Sequence, residues 1–166
     1  MNPDVSDDYF DTASTGDGVL VRMSDNVAAT LTHHVERLAR FLETGAVDAE
    51  PGGLFRRRTT SEDVARRMFP DAYPDRAESD AFRARHTAAL GDSAAVRRFI
   101  HRCSTGSQHV LPREEADEWI GVLGMVRFVA FPRTGVRGDA PELVWFNWAQ
   151  ESLVAALHPD WFSARP

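Results

Sequence analysis

Residues 119–131, WIGVLGMVRFVAF, are the most apolar stretch of this 166-residue sequence, and Arg127 is the one charged side chain among them. Apolar residues fall on every face of the helix that this stretch predicts, so we expect a helix that is buried on all sides. A guanidinium in such a helix either extends to the edge of the core or meets an acceptor inside it.

The predicted acceptor comes from the next helix, which begins at Pro141 and is rich in aromatic residues. Glu151 and Asn147 lie four residues apart on one face of that helix. We therefore predict a buried ion pair between Arg127 and Glu151. Asn147 or Gln150 would complete the hydrogen bonds. Such a pair would set the register of the two helices, and a ligand-binding arginine is the alternative.

Helical periodicity extends through most of the chain. Apolar residues recur at three- and four-residue steps from Val27 to Leu42, which is typical of an amphipathic helix. Ser24 or Asp25 caps the start of this helix, and Gly45 ends it. Further helices are predicted at about residues 61–69, 76–90, 93–103, 112–131 and 141–157.

Two short apolar segments, residues 19–23 and 109–111, predict strands that pair with each other. The sequence therefore predicts a mainly α fold, a compact domain of five or six helices with a minor two-stranded β-ribbon over residues 18–158. Residues 1–17 are polar and acidic, and we expect them to form a flexible tail. Residues 159–166 are expected to form a C-terminal tail.

Composition excludes several classes of protein. Hydrophobic residues make up 43% of the chain, which is enough for a core. No apolar run approaches the roughly 20 residues of a membrane-spanning helix. The acidic N-terminus has no apolar segment of a signal peptide, so a cytoplasmic location is expected. A single cysteine, Cys103, excludes an internal disulfide.

Basic side chains are concentrated in the middle of the sequence. Residues 54–102 carry eleven arginines against seven acids, although the whole chain has a net charge of −6. Two helices joined by a turn with two prolines are compatible with a helix-turn-helix between residues 61 and 90. Because that turn is longer than usual, a solvated basic face is the favoured interpretation. The DNA-binding candidates are Arg56, Arg57, Arg58, Arg66, Arg67, Arg83 and Arg85.

Cys103 is the redox candidate. It continues the apolar face of Val96 and Phe99, however, and this position predicts a buried thiol of low reactivity. Together with His101 and His109 it matches no zinc-site spacing, so we expect no metal and no cofactor.

Two neighbouring histidines, His33 and His34, are expected at the surface and at the edge of their helix. The sequence contains no nucleophile elbow, phosphate-binding loop or paired-histidine zinc motif. We therefore expect no catalytic residues and no enzymatic activity.

Four segments of the chain, taken in order, resemble a known family. They are RRMFPDAYPD, AFRARHTAAL, LPREEADEWIGVLGMVRFVAFPRTGV and WFNWAQESLVAAL. Their order and spacing are similar to those of the actinobacterial family DUF2017, over about residues 19–157. The strongest marks are FPDAY at 69–73, Phe82 with Arg83, Trp119 with Leu123 and Arg127, and WAQESL at 148–153.

The resemblance implies a small cytoplasmic actinobacterial protein. Members are often encoded beside a protease adaptor and a cysteine-synthesis cluster, and some are regarded as transcriptional regulators that sense oxidative stress. Two departures are visible. Gly124 and Met125 replace the family's usual Asn-Asp pair, and a redox switch that needs two nearby cysteines does not transfer to a chain that has Cys103 alone.

The function that we expect is regulation, by binding DNA or a protein of the transcription machinery. The alternative is a non-enzymatic protein-interaction adaptor or homodimeric scaffold without DNA contact. In that case the aromatic C-terminal helix or the segment HPDWF, residues 158–162, would meet a partner or a second copy. No membrane association is expected.

Overall fold

A computed structural model describes residues 8–47, 59–71, 73–91, 94–131 and 141–163 of the chain. The strands in these ranges are β1 (Phe10–Ser14), β2 (Gly18–Met23) and β3 (Gln108–Pro112). The helices are α1 (Asp25–Thr44), α2 (Ser61–Met68), α3 (Arg76–Gly91), α4 (Ala94–Ser104), α5 (Arg113–Ala130), α6 (Pro141–Leu157) and α7 (Pro159–Ser163).

The mainly α class is confirmed, with a small antiparallel sheet. The described part of the chain holds seven helices rather than five or six, and its sheet has three strands rather than two. Strand β1 lies within the predicted N-terminal tail, and α7 lies within the predicted C-terminal tail. The sequence FDTAS of β1 has one large apolar residue, Phe10, so local composition alone did not indicate a strand.

Strand β2 is the centre of the sheet and pairs antiparallel with β1 and β3. The predicted pairing of residues 19–23 with 109–111 is confirmed, since Val19 lies opposite Leu111 and Val21 opposite His109. Val19 and Val21 point into the core. Gly18 lies so close to β3 that a Cβ there would be 1.9 Å from the carbonyl oxygen of Leu111, so only glycine fits.

Helix α1 has the limits that its sequence predicts. The Ser24 side chain accepts a hydrogen bond from the backbone N–H of Val27 at 3.3 Å, which caps the first turn. At the other end, Gly45 adopts a φ of 70°, and its N–H donates to the carbonyl oxygen of Phe41 at 2.7 Å. The apolar face of α1 packs against α4 and α5.

Helix α5 is the centre of the core, because it packs against α1, α2, α4 and α6 and against β2 and β3. The Trp119 ring stacks on Phe99 of α4 with centroids 4.0 Å apart. The prediction that α5 is buried on all sides is wrong, since Gly121 is exposed and Arg127 is half-buried. The neighbouring elements bury one broad stripe of the helix and leave most of the remaining residues half-buried.

Helices α6 and α7 follow the sheet. Helix α6 packs against α5, β1 and β2, and the Thr12 hydroxyl of β1 donates to the carbonyl oxygen of Ser152 at 3.0 Å. At the start of α7, the N–H of Trp161 donates a hydrogen bond to the carbonyl oxygen of His158, which links α7 to the end of α6. Among the described helices, none combines the length and the apolar character needed to cross a membrane.

Candidate functional site

The arginines that we predicted as DNA contacts do not form one described surface. Residues 56–58 lie outside the described residues. On α2, Arg66 forms an ion pair with Glu62 one turn earlier, and Arg67 is half-buried. On α3, Arg85 is exposed.

Arg83 is buried and paired, which argues against the DNA contact that we predicted for it. The residue is only 5% exposed, and its two terminal nitrogens donate to the carboxylates of Asp71 and Asp80. The hydrogen bond from Arg83 also lowers the pKa of Asp71. A phosphate would have to displace both carboxylates from a guanidinium that the core already encloses.

The turn between α2 and α3 is held by Ser79 as well. The hydroxyl of this buried serine donates to the carbonyl oxygen of Tyr73 at 3.0 Å and accepts from its N–H at 3.1 Å. Arg83 adds a hydrogen bond to the carbonyl oxygen of Phe69. The polar side chains of α3 therefore fix the proline-containing turn in place, which is a structural role.

Two further arginines of the basic segment join α4 to α5. Arg102 forms a bidentate pair with Glu115, with both nitrogen–oxygen distances at 2.8 Å. This contact raises the pKa of Arg102 and lowers that of Glu115. Arg98 pairs in the same way with Glu118. Within the described residues, four of the eleven arginines of residues 54–102 therefore have carboxylate partners in the same chain: Arg66, Arg83, Arg98 and Arg102.

The predicted ion pair between Arg127 and Glu151 is wrong. Glu151 is exposed on α6, and no salt bridge joins the two side chains. Gln150, which we expected to complete the pair, donates instead to the carbonyl oxygen of Ile120 at 3.1 Å. The Nε of Arg127 is buried without a hydrogen-bond partner among the described residues, and so is the Oδ1 of Asn147. Arg127 therefore lies at the edge of the core.

Cys103 is buried on α4, as its position in the sequence predicts. Burial raises the pKa of its thiol to about 12, against a smaller opposing effect of a hydrogen bond with Thr32. The thiolate is consequently scarce at neutral pH, and the thiol is expected to react slowly. Its assignment as a redox residue stays a prediction. Within the described ranges, no group of three or more His, Cys, Asp and Glu side chains is placed to hold a metal ion.

An open cavity of about 400 Å³ lies between the first turns of α1 and α6. Its wall includes two residues of α1, Thr30 and His34, and two residues of α6, Trp145 and Phe146. The carboxylate-bearing residues Asp8 and Glu142 also line it.

His34 is the buried polar group of this cavity. It is 8% exposed, and its ring meets Phe146 edge to face with centroids 5.2 Å apart. Its Nδ1 is buried and has no hydrogen-bond partner among the described residues. Burial, and to a lesser extent the positive charges of Arg37 and His33, lower its pKa to about 4, so the imidazole is neutral at physiological pH.

The sequence did not single out His34, because we expected one residue of the His33–His34 pair at the surface and the other at the edge of the helix. The signal was nevertheless present. His34 lies three residues after Leu31 and four before Leu38, and both leucines belong to the apolar stripe of α1. A histidine at such a position is enclosed together with the stripe, whereas His33 beside it is exposed.

A second feature of the molecule is a set of exposed large apolar side chains on α6 and α7. Trp148 is 47% exposed and Trp161 is 66% exposed, and Val144 and Phe162 are also exposed. Val144 and Trp148 lie one turn apart on the outer side of α6. The Trp161 ring stacks on His158 with centroids 4.0 Å apart. We call these four residues, Val144, Trp148, Trp161 and Phe162, the aromatic surface.

Comparison with known proteins places the chain in a family. A search of curated proteins and a search of solved structures each returned no match. The sequence profile of a domain of unknown function, DUF2017, matches residues 8–157, which is most of the chain and includes β1 as well as the four segments quoted above. The chain therefore belongs to the DUF2017 family.

Proposed function

We propose that this chain is a non-enzymatic regulatory protein that acts on transcription by contacting a protein of the transcription machinery. The observation that carries the proposal is the aromatic surface. Large apolar side chains that stay exposed on one part of a protein are typical of protein–protein contacts, in which tryptophan is especially common. The regulatory role itself rests on the resemblance to stress-sensing regulators.

Contact with a protein is preferred over contact with DNA because of the arginines. Binding to DNA draws most of its affinity from basic side chains that neutralise phosphates. Of the basic residues in segment 54–102, Arg66, Arg83, Arg98 and Arg102 already have carboxylate partners. The net charge of −6 would add repulsion between the whole chain and a nucleic acid.

The test measures binding to purified RNA polymerase, with and without its σ factors, by biolayer interferometry. The test variant carries Trp148→Ser and Trp161→Ser, and the matched control carries Val110→Ser, an exposed apolar residue of β3. We expect the wild type and the control to bind, and the double variant to bind at least about tenfold more weakly. Equal binding by all three proteins would contradict the assignment of the surface.

The same proteins distinguish the alternative partners. If the surface joins two copies of the chain, sedimentation equilibrium will give a dimer for the wild type and a monomer for the double variant, and no polymerase will bind. If the function is DNA binding, promoter DNA will be shifted at low salt. Its affinity will then fall by roughly one logarithmic unit per unit of log salt for each phosphate contact. Either result would replace the proposed partner.

A further inference from the structure

The cavity between the first turns of α1 and α6 has the properties of a ligand site. Its volume of about 400 Å³ lies in the range of small-molecule pockets, which are mostly apolar with a few polar groups. Phe146 and the half-buried Trp145 supply an aromatic wall. His34 supplies a polar group that is more than nine-tenths buried.

The buried nitrogen of His34 lacks a partner that the fold could have provided. A buried polar atom without a hydrogen bond costs free energy, and native proteins leave few of them. Neutral imidazole carries one N–H and one lone pair. When the proton is on Nε2, the lone pair of Nδ1 can accept a hydrogen bond. Nδ1 itself is shielded from solvent, so a ligand with an N–H donor would satisfy it once the imidazole ring turns toward the cavity.

Charge selects the class of ligand. Among the described residues, Asp8 and Glu142 line the cavity and no arginine does, although the charge of Arg37 acts on His34 from nearby. The N-termini of α1 and α6 each contribute roughly half a positive charge, which two full carboxylates outweigh. The low pKa of His34 keeps the imidazole uncharged, so it does not repel a cation. Tryptophan is also the aromatic side chain that attracts cations most strongly.

We propose that this cavity binds a small organic amine in its protonated form. The ammonium group lies near Asp8 and Glu142 and donates to the imidazole of His34. The apolar body of the amine packs against Trp145 and the edge of Phe146. This binding site is a property beyond the contact with the transcription machinery, and it does not depend on that contact.

The experiment compares three probes with the same phenyl body and different charge: 2-phenylethylamine, 2-phenylethanol and 3-phenylpropionate. Each is titrated into the full chain by isothermal titration calorimetry at pH 7.5. We expect the amine to bind at least about tenfold more tightly than the alcohol, because a desolvated cation gains from the carboxylates and the tryptophan ring. The carboxylate probe should not bind measurably. Equal binding of all three probes would overturn the proposal. So would the absence of amine binding at about 10 mM, which is on the order of the weakest affinities that such fragments show.

Two substitutions on α6 provide the matched comparison. Glu142→Gln removes one carboxylate from the cavity, whereas Glu151→Gln removes an exposed carboxylate that does not line it. We expect Glu142→Gln to weaken binding of the amine roughly fivefold and Glu151→Gln to leave it unchanged, because the attraction is local. Equal effects of the two substitutions would show that the amine responds to net charge alone and would refute the site.

A spectroscopic readout reports on His34 directly. Long-range ¹H–¹⁵N correlation spectra distinguish a hydrogen-bonded Nδ1 from a free one in a neutral imidazole. Addition of 2-phenylethylamine should shift the Nδ1 signal of His34 and leave that of the exposed His101 unchanged. An Nδ1 signal that stays constant while calorimetry records binding would place the amine elsewhere and overturn the role of His34.

Discussion

Arg83 and Arg127 both lie on helices, yet they differ in burial and in the acids that contact them. Arg83 was expected at the surface and is enclosed, with two carboxylates on its terminal nitrogens. Arg127 was expected to be enclosed and paired, and it lies half-buried at the edge of the core without a salt bridge to Glu151. An arginine therefore becomes structural where acids converge on it, whatever the hydropathy of its own segment.

The reason is that arginine cannot lose its charge in a protein. It is either provided with acceptors or keeps part of its guanidinium near water. Histidine has a third possibility. His34 is buried without a hydrogen-bond partner for Nδ1 among the described residues. Burial lowers its pKa to about 4, so the buried imidazole is neutral at physiological pH. The three side chains provide a graded set of predictions.

The largest effect is expected at Arg83. Arg83→Met should lower the midpoint of urea unfolding more than any other substitution in this set, because Asp71 and Asp80 lose their shared cation and the turn after α2 loses its anchor. Arg85→Met, an exposed arginine on the same helix, is the matched control and should have almost no effect. Equal midpoints for the two variants would show that the pairs of Arg83 contribute nothing to stability.

An intermediate effect is expected for His34 and depends on pH. The unfolded chain takes up a proton on this histidine near pH 6.5, whereas the folded chain does so only near pH 4. Protons therefore bind the unfolded state more strongly between these values, and stability falls as the pH falls. The loss attributable to His34 should reach about 3 kcal/mol at pH 4.

The measurement compares urea unfolding of the wild type and His34→Phe at pH 7 and pH 4. The variant should lose about 3 kcal/mol less on acidification, because phenylalanine has no proton to gain. His101→Gln, at an exposed position, serves as the control and should behave like the wild type. If the His34→Phe variant shows the same loss as the wild type, the histidine is not buried in its neutral form.

The smallest effect is expected at Arg127. Arg127→Met should change the free energy of unfolding by less than about 1 kcal/mol, since no buried charge is left without its partner. In a double-mutant cycle with Glu151→Gln, the two substitutions should add within about 0.5 kcal/mol. A coupling above about 1 kcal/mol would restore the ion pair that the sequence suggested and would contradict the structure at this point.

Structural features that depend only on residues close together in the sequence could be predicted from it. The cap at Ser24, the left-handed residue Gly45 and the apolar periodicity between them define α1 without reference to any other element. From Val19 to Met23, strand β2 alternates buried residues with less buried ones, and its pairing with β3 also followed from local pattern. Strand β1 did not, because an edge strand with one large apolar side chain needs its partner to form.

The candidate sites were less predictable than the fold, for a related reason. The burial of Cys103 followed from the apolar face of its own helix. The cavity at His34 and the aromatic surface required the positions of α1, α6 and α7 relative to one another. Sequence spacing shows which side chains share a face but not which other face they meet.

The sequence by itself determined where α1, α2, α5 and α6 lie and that the protein has a helical core around Trp119. The tertiary structure alone decided the partners of the charged groups. A helix can rotate or slide by one turn at little cost to its own hydrogen bonds, yet each such step exchanges the acids within reach of an arginine. Charge pairing between elements is therefore decided by tertiary packing, which brought Asp71 to Arg83 and left Glu151 in solvent, whereas Asp80 lies one turn before Arg83 on the same helix.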